Sequence, residues 1–206
     1  MSDRPRPTQP AASAIGALSP PETAAGYGVH MIRPHLRDIP VATFPPGFGI
    51  RPLRTDEGPL WLAVERDAEE YLRLGDDAFE REFGADLASV PERCFLITAP
   101  GAAAVGTVSA WYYTWRGTEY GLVHWLAVRP AYQGRGLGKA GLSHALSVLS
   151  RWHDQALLGT QTKRLRAIRL YLDYGFEPDM EEAQAQARWA QVSARLDHPG
   201  LRRLGL

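Results

Sequence analysis

The chain has 206 residues, 45% of them hydrophobic and 22% charged, and its 23 Lys/Arg balance its 23 Asp/Glu. That is enough chain for one domain with a full core, and a net charge of zero argues against nucleic acid or a membrane surface as the main partner. The single cysteine, Cys94, excludes an internal disulfide, and no Cys/His cluster offers a metal site.

No apolar run approaches the roughly 18 residues of a membrane helix, and the N-terminus lacks the charged start and apolar stretch of a secretory signal. With one cysteine, these features lead us to expect a reducing, cytoplasmic compartment. Residues 1–28 are rich in Ala, Pro, Ser and Thr, a composition that buries too little apolar surface to offset its ordering entropy. The expected organisation is a disordered tail over 1–30, an N-terminal extension over 31–47, one domain over 48–197 and a tail over 198–206. Met31 is an alternative start.

Residues 49–53 read as a short strand after the turn signal Pro45-Pro46-Gly47. Thr55 is the predicted N-cap of a helix through Trp61, Val64 and Tyr71, with Pro59 tolerated in its first turn. A shorter helix is predicted over 76–83, ending at Gly84. Three strand-like runs follow, over 93–99, 104–115 and 121–128, separated by Pro100-Gly101 and Gly117-Thr118: a meander of hairpins. Beyond Val128 the period changes. Residues 136–152 carry Leu142, Ala145, Leu146, Leu149 and Trp152 at helical spacing. A strand over 156–162 comes next, then a helix over 163–174 that is apolar on two sides and so predicted to be covered on both. Gly175 stops that helix, Phe176-Glu177 begins a brief strand before Pro178, and 181–196 reads as an amphipathic helix. The order is that of a mixed α/β domain without repeats.

The chemistry concentrates between Trp125 and Lys139. A buried strand ends at Val128, a proline turn follows, and a glycine-rich loop opens a helix. Bare N–H groups at a helix start, with no Cβ atoms in the way, cradle phosphate, and Arg135 and Lys139 add positive charge. A Walker loop fails at both ends, where Gln133 and Ala140 stand. Gly136, Gly138 and Gly141 meet the dinucleotide fingerprint literally, but residues 129–135 separate them from the strand they should follow directly, and the acidic ribose-binding residue is missing.

Gln133-Gly134-Arg135-Gly136-Leu137-Gly138 matches Q/R-x-x-G-x-G/A, the pyrophosphate loop of the GNAT acyltransferases, and Val128-Arg129-Pro130 before it also resembles that family. Downstream, Ala167, Leu170, Tyr171, Gly175 and Phe176 fit a second signature, A-x-x-L-Y-x-x-x-G-F. The resemblance covers residues 49–178. It implies a mixed, mostly antiparallel sheet with splayed fourth and fifth strands, helices on both faces, and here an extra C-terminal helix. It also implies an acyl-CoA-dependent N-acyltransferase, with acetyl-CoA as donor substrate and a small-molecule or peptide amine as acceptor. A GNAT fold that senses acyl-CoA without turnover is the alternative, and a homodimer is left open.

Carried over residue by residue, the resemblance puts pantetheine between residues 121–128 and 156–162, paired with the backbone of Leu126, Ala127 and Val128. A strand-end N–H near Leu126 would hold the oxyanion. Gln133, Gly134, Arg135, Gly136, Leu137, Gly138 and Lys139 would hold the pyrophosphate. Arg164 stands where the family often has a CoA-contacting asparagine. Tyr171 falls at the tyrosine that assists departure of the CoA thiolate, with Tyr174 the spare candidate. A phenol, at about 10, is a weaker acid than a thiol near 8.5, so the hydroxyl would mainly hydrogen-bond the developing thiolate.

The amine must lose a proton, and His124 is the titratable side chain inside the fourth strand; an imidazole ordinarily titrates near about 6.5. The structural alternative for a lone strand histidine stands beside that reading. Glu119, at the strand entrance, is the other candidate. The family's seventh strand, which borders the acceptor site, is replaced by the helical 181–196. Residues 55–90 hold eleven acids, among them Glu65, Glu69 and Glu70, against Arg66, Arg73 and Arg81, whereas 129–169 hold eight Lys/Arg against Asp154. If the acidic run walls the acceptor site, a cationic amine is expected; otherwise it is the solvated face of two helices.

Overall fold

The computed structural model describes residues 28–205. Its elements are β1 (Gly28–Arg33), β2 (Gly49–Pro52), α1 (Gly58–Ala68), α2 (Ala78–Phe83), α3 (Val90–Arg93), β3 (Cys94–Thr98), β4 (Ala104–Trp115) and β5 (Thr118–Val128). The chain continues through α4 (Leu137–Leu149), β6 (Ala156–Gln161), α5 (Leu165–Asp173), β7 (Glu177–Pro178), α6 (Ala185–Ser193) and α7 (Pro199–Arg202). The seven strands form one sheet in the order β2-β3-β4-β5-β6-β1-β7. Every pairing is antiparallel except β5 with β6.

Alternation along the strands divides the core between the two faces of the sheet. Ala110, Val123, Ala156 and Leu158 pack under α4, α5 and α6 with Leu142, Leu146, Ile168, Phe176 and Trp189. Their neighbours Trp111, Leu122 and Leu157 pack on the opposite side against Trp61, Leu62, Phe79 and Phe83 of α1 and α2. The mixed sheet with helices on both faces, and the extra C-terminal helix α6, are as predicted.

The folded chain begins earlier than the predicted 48. β1 pairs along its length with β6, from Gly28 opposite Gln161 to Arg33 opposite Ala156, and on its other edge with β7 at Met31 and Ile32. Val29 and Met31 are fully buried. The expected tail therefore retains only residues 1–27, which lie outside the described residues, and a start at Met31 would remove the first part of a core strand. The seventh strand that the resemblance expects after the sixth is supplied by the N-terminal side of the chain. The C-terminal end, predicted as a tail, also docks: Leu201 of α7 is 1% exposed in the main core, and His198 caps that helix.

The first helix is shorter than predicted. Thr55 lies in a 3-10 turn, Thr55–Glu57, and Glu57 precedes α1 without capping it by its side chain; its carboxylate turns back and accepts the Arg54 N–H at 3.0 Å and both Arg51 Nη groups at 2.7 and 2.8 Å. Those bonds, chiefly the one from Arg51, hold its carboxyl down at about 2. Tyr71 lies beyond the end of α1 in the loop leading to α2.

Candidate active site

β5 and β6 pair only at Gly121 with Ala156 and Leu122 with Leu157. Beyond these residues the strands part, leaving open backbone edges on Val123–Val128 and on residues 158–161. β4 still braces β5, and β1 braces β6. The opening is a cleft of about 600 Å³ that runs from Gln133 past Leu126, Ala127, Val128 and Tyr171 to α1 and α2.

A bulge shapes the β5 wall. Thr107 lies opposite Ala127, but Ser109, two residues on, lies opposite His124, three residues back. The extra residue is accommodated at Trp125, whose φ of +47° is left-handed. Ordinary alternation would send His124 and Trp125 to opposite faces. Instead both face α1 and α2, His124 against Phe83 at 6.0 Å and Trp125 against Trp61 at 5.3 Å between ring centroids. Leu126 turns toward α4, beside Gly141.

At the outer end, Gly134 and Gly136 have φ of +76° and +83°, and a Cβ on either would meet no atom within 4 Å. The backbone is thus bent into a conformation that L side chains resist, with open space in front of it, which suits a phosphate cradle at the start of α4. Gln133 is tied inward, donating from Nε2 to the Val128 carbonyl at 3.0 Å. Arg135 and Lys139 are exposed, with Arg135 over the Tyr132 ring. Leu137 is buried with Ile97 and Val105, anchoring the loop.

The two tyrosines of α5 separate cleanly. The Tyr174 hydroxyl donates to the Lys139 carbonyl at 3.1 Å and joins α5 to α4. Tyr171 lines the cleft, and its hydroxyl has no hydrogen-bond partner among the described residues. Burial pushes that hydroxyl up to about 12, with Arg164 opposing and Glu65 adding to the rise. Gly175, between Tyr174 and Phe176, has φ +77°, a left-handed conformation that L side chains resist, and a Cβ there would crowd the Arg33 guanidinium. The glycine of the second motif is thus required where α5 meets β1.

His124 lies in the cleft lining with Nε2 2.9 Å from Glu82 Oε2, a partner that sequence reasoning did not single out. Burial pushes the Glu82 carboxyl up, but His124, by hydrogen bond and charge, together with Trp125 and Arg81 outweighs it, and the group ends below its ordinary value. Glu119, the other predicted base, is at the opposite end of β5, 3.2 Å from His153 and outside the cleft lining. Arg164 is in the lining and is gripped by both oxygens of Glu69 at 2.6 and 2.8 Å, so it is not a free CoA contact.

The acidic run does not form a free acidic wall. Asp67, Asp76 and Asp77 pair with Arg129, Arg66 and Arg81, and Glu70 is outside the lining. Only Glu65, Glu69 and Glu82 face the cleft, alongside Arg73, Arg81 and Arg164. Cys94 is fully buried, its thiol pushed up to about 12 by desolvation.

Among the described residues no helix is long and apolar enough to cross a membrane. The model of the Acetyltransferase (GNAT) family matches residues 52–176, more than half the chain. A mycothiol acetyltransferase of a Nocardioides species is 30% identical over 207 aligned residues, covering 87% of this chain and 66% of that protein. Among solved structures, a GCN5-related N-acetyltransferase of Sphaerobacter thermophilus is similar at TM-score 0.57 and 20% identity, over 74% of this chain and 48% of that one. A GNAT-family acetyltransferase of Colwellia psychrerythraea reaches 0.58 at 10% identity, over 73% and 52%. The chain thus spans about half to two thirds of the length of these relatives. Sheet order, parted strands and glycine loop agree with the family match: the chain belongs to the GNAT acetyltransferase family.

Proposed function

We propose that the chain transfers an acyl group, acetyl from acetyl-CoA, directly to a small-molecule or peptide amine, in a reducing cytoplasmic compartment. The observation that carries this reading is the parting of β5 and β6 beside the glycine loop, with the Tyr171 side chain on the cleft between them. The CoA pyrophosphate would rest on the N–H groups of 134–139 and the α4 N-terminus, with Arg135 and Lys139 balancing charge. Pantetheine would pair with the open edge of β5 at Leu126–Val128.

The amine nitrogen attacks the thioester carbonyl carbon, and the carbonyl oxygen gathers negative charge near the Leu126 N–H. His124, oriented by Glu82, takes the amine proton directly or through a water. The C–S bond then breaks and the thiolate leaves, accepting a hydrogen bond from the Tyr171 hydroxyl. Because that hydroxyl titrates near 12, above an ordinary thiol, it donates a hydrogen bond rather than surrendering its proton early. Direct transfer is favoured over an acyl-enzyme because Cys94 is buried away from the cleft and, among the described residues, no cysteine or serine lines it.

The pairing of the acidic run removes the argument for a strongly cationic acceptor. The similarity to a mycothiol acetyltransferase supports acetyl transfer to a small molecule. The test is CoA thiol release, with mass detection of the acylated product, across amines that are neutral, cationic or carboxylate-bearing. Thiol release matched by an acylated amine supports the reading. Acetyl-CoA binding with no transfer to any amine would leave an acyl-CoA sensor.

A further inference from the structure

Glu65 lies within α1, 3% exposed, in the lining of the cleft, and it has no ion pair among the described residues. Its Oε1 is hydrogen-bonded to the hydroxyl of Thr107 on β4. The same hydroxyl lies 2.9 Å from the carbonyl oxygen of Trp125, the left-handed residue of the β5 bulge. A hydroxyl has one proton to give, and a carbonyl can only accept. If both contacts are hydrogen bonds, the proton between Glu65 and Thr107 comes from Glu65.

The surroundings agree with that count. The charged and titratable groups facing Glu65 are Glu69 just beyond the C-terminal end of α1, Glu82 on α2, Arg164 at the start of α5 and Tyr171 within it. Arg164, the one cation among them, is already held by both oxygens of Glu69. Burial pushes the Glu65 carboxyl up to about 8; Thr107 and Arg164 pull it down, while Glu69 and Glu82 add to the rise.

We propose that Glu65 is a positioning residue that acts as a neutral carboxylic acid, donating to Thr107 so that Thr107 donates to the Trp125 carbonyl and fixes the bulge of β5. The bulge sets where the backbone N–H groups of Leu126 and Ala127 point. When Glu65 ionises, the carboxylate takes the Thr107 proton for itself and the Trp125 carbonyl loses its donor. A bulky residue in the left-handed region then lacks the contact that holds it there. The consequence for turnover rests on the acyltransferase reading; the hydrogen-bond chain does not.

The test is NMR on protein carrying carbon-13 in its glutamate carboxyls, with the Leu126 and Ala127 amides followed in the same samples from mildly acidic to alkaline pH. One carboxyl is expected to titrate near 8 and to be missing in Glu65→Gln. The two amides are expected to shift with that midpoint in the wild type and to stop doing so in Glu65→Gln, whose amide supplies Thr107 with the same donor. Glu65→Leu, which keeps the apolar packing and supplies no donor, is expected to displace both amides at every pH. Transfer is expected to fall on the order of 10- to 100-fold above the midpoint, and Glu65→Gln to lose that decline. A Glu65 carboxyl titrating in the ordinary range, or amides indifferent to its charge, overturns the proposal. If carboxyl and amides titrate together but no amine is acylated, the acyltransferase reading fails and the positioning role stands.

Discussion

The imidazole of His124 and the carboxylate of Glu82 are 42 residues apart in sequence and 2.9 Å apart in space. Removing the ring is expected to lower kcat/KM by roughly 10²–10⁴, the range for positioned acid–base groups. Glu82→Gln, which removes the charge but keeps the shape, is expected to lower the rate by less. A His124→Ala variant as fast as the wild type would leave water as the proton acceptor. The glycine loop and Tyr171 were legible because their partners are contiguous in the chain or one helical turn away. Glu82 and Thr107 were not, since their contacts exist only once α2 and β4 have packed against β5. Nor does any spacing announce that a left-handed Trp125 turns two neighbours onto one face, because simple alternation forecasts the reverse.

At the scale of elements, β1 decides how firmly the cleft is held. β6 loses β5 as a partner after Leu157, so beyond that point β1 supplies the neighbour that keeps it straight. Met31 is fully buried in that strand, and Met31→Ala is expected to cost about 2–5 kcal/mol, as large-to-small core substitutions do. Urea unfolding measures it. A cost below about 0.5 kcal/mol, typical of surface positions, would contradict a core role for β1. The meander, α4, α5 and the brief β7 were readable from periodicity and turn residues. β1 was not, because a short strand after a proline-rich stretch carries no mark of where in the sheet it inserts. The helical period continues in sequence past Ala68, but α1 ends there because Glu69 is extended at ψ 117° and turns its carboxylate to Arg164.

Across the whole molecule, a net charge of zero conceals a division of labour. The basic half, from Arg129 onward, presents the exposed Arg135 and Lys139 beside the glycine loop, where phosphates would bind. The acidic half is spent largely on arginines of its own wall and on Arg129 and Arg164, which tie the helical wall to the basic half. Counting charges in the sequence gave the sign of each half but not this pairing. The two faces of the sheet meet at the parted strands. The most direct measurement compares wild type with Tyr171→Phe, a change that keeps the ring packed on Phe176 and deletes only the hydroxyl. Thiol release and acylated amine are counted in one reaction, and acetyl-CoA affinity is taken by calorimetry. The expected result is a loss in kcat of roughly 10²–10⁴ with affinity retained. A variant as fast as the wild type, or a wild type that binds acetyl-CoA and acylates no amine, would contradict it.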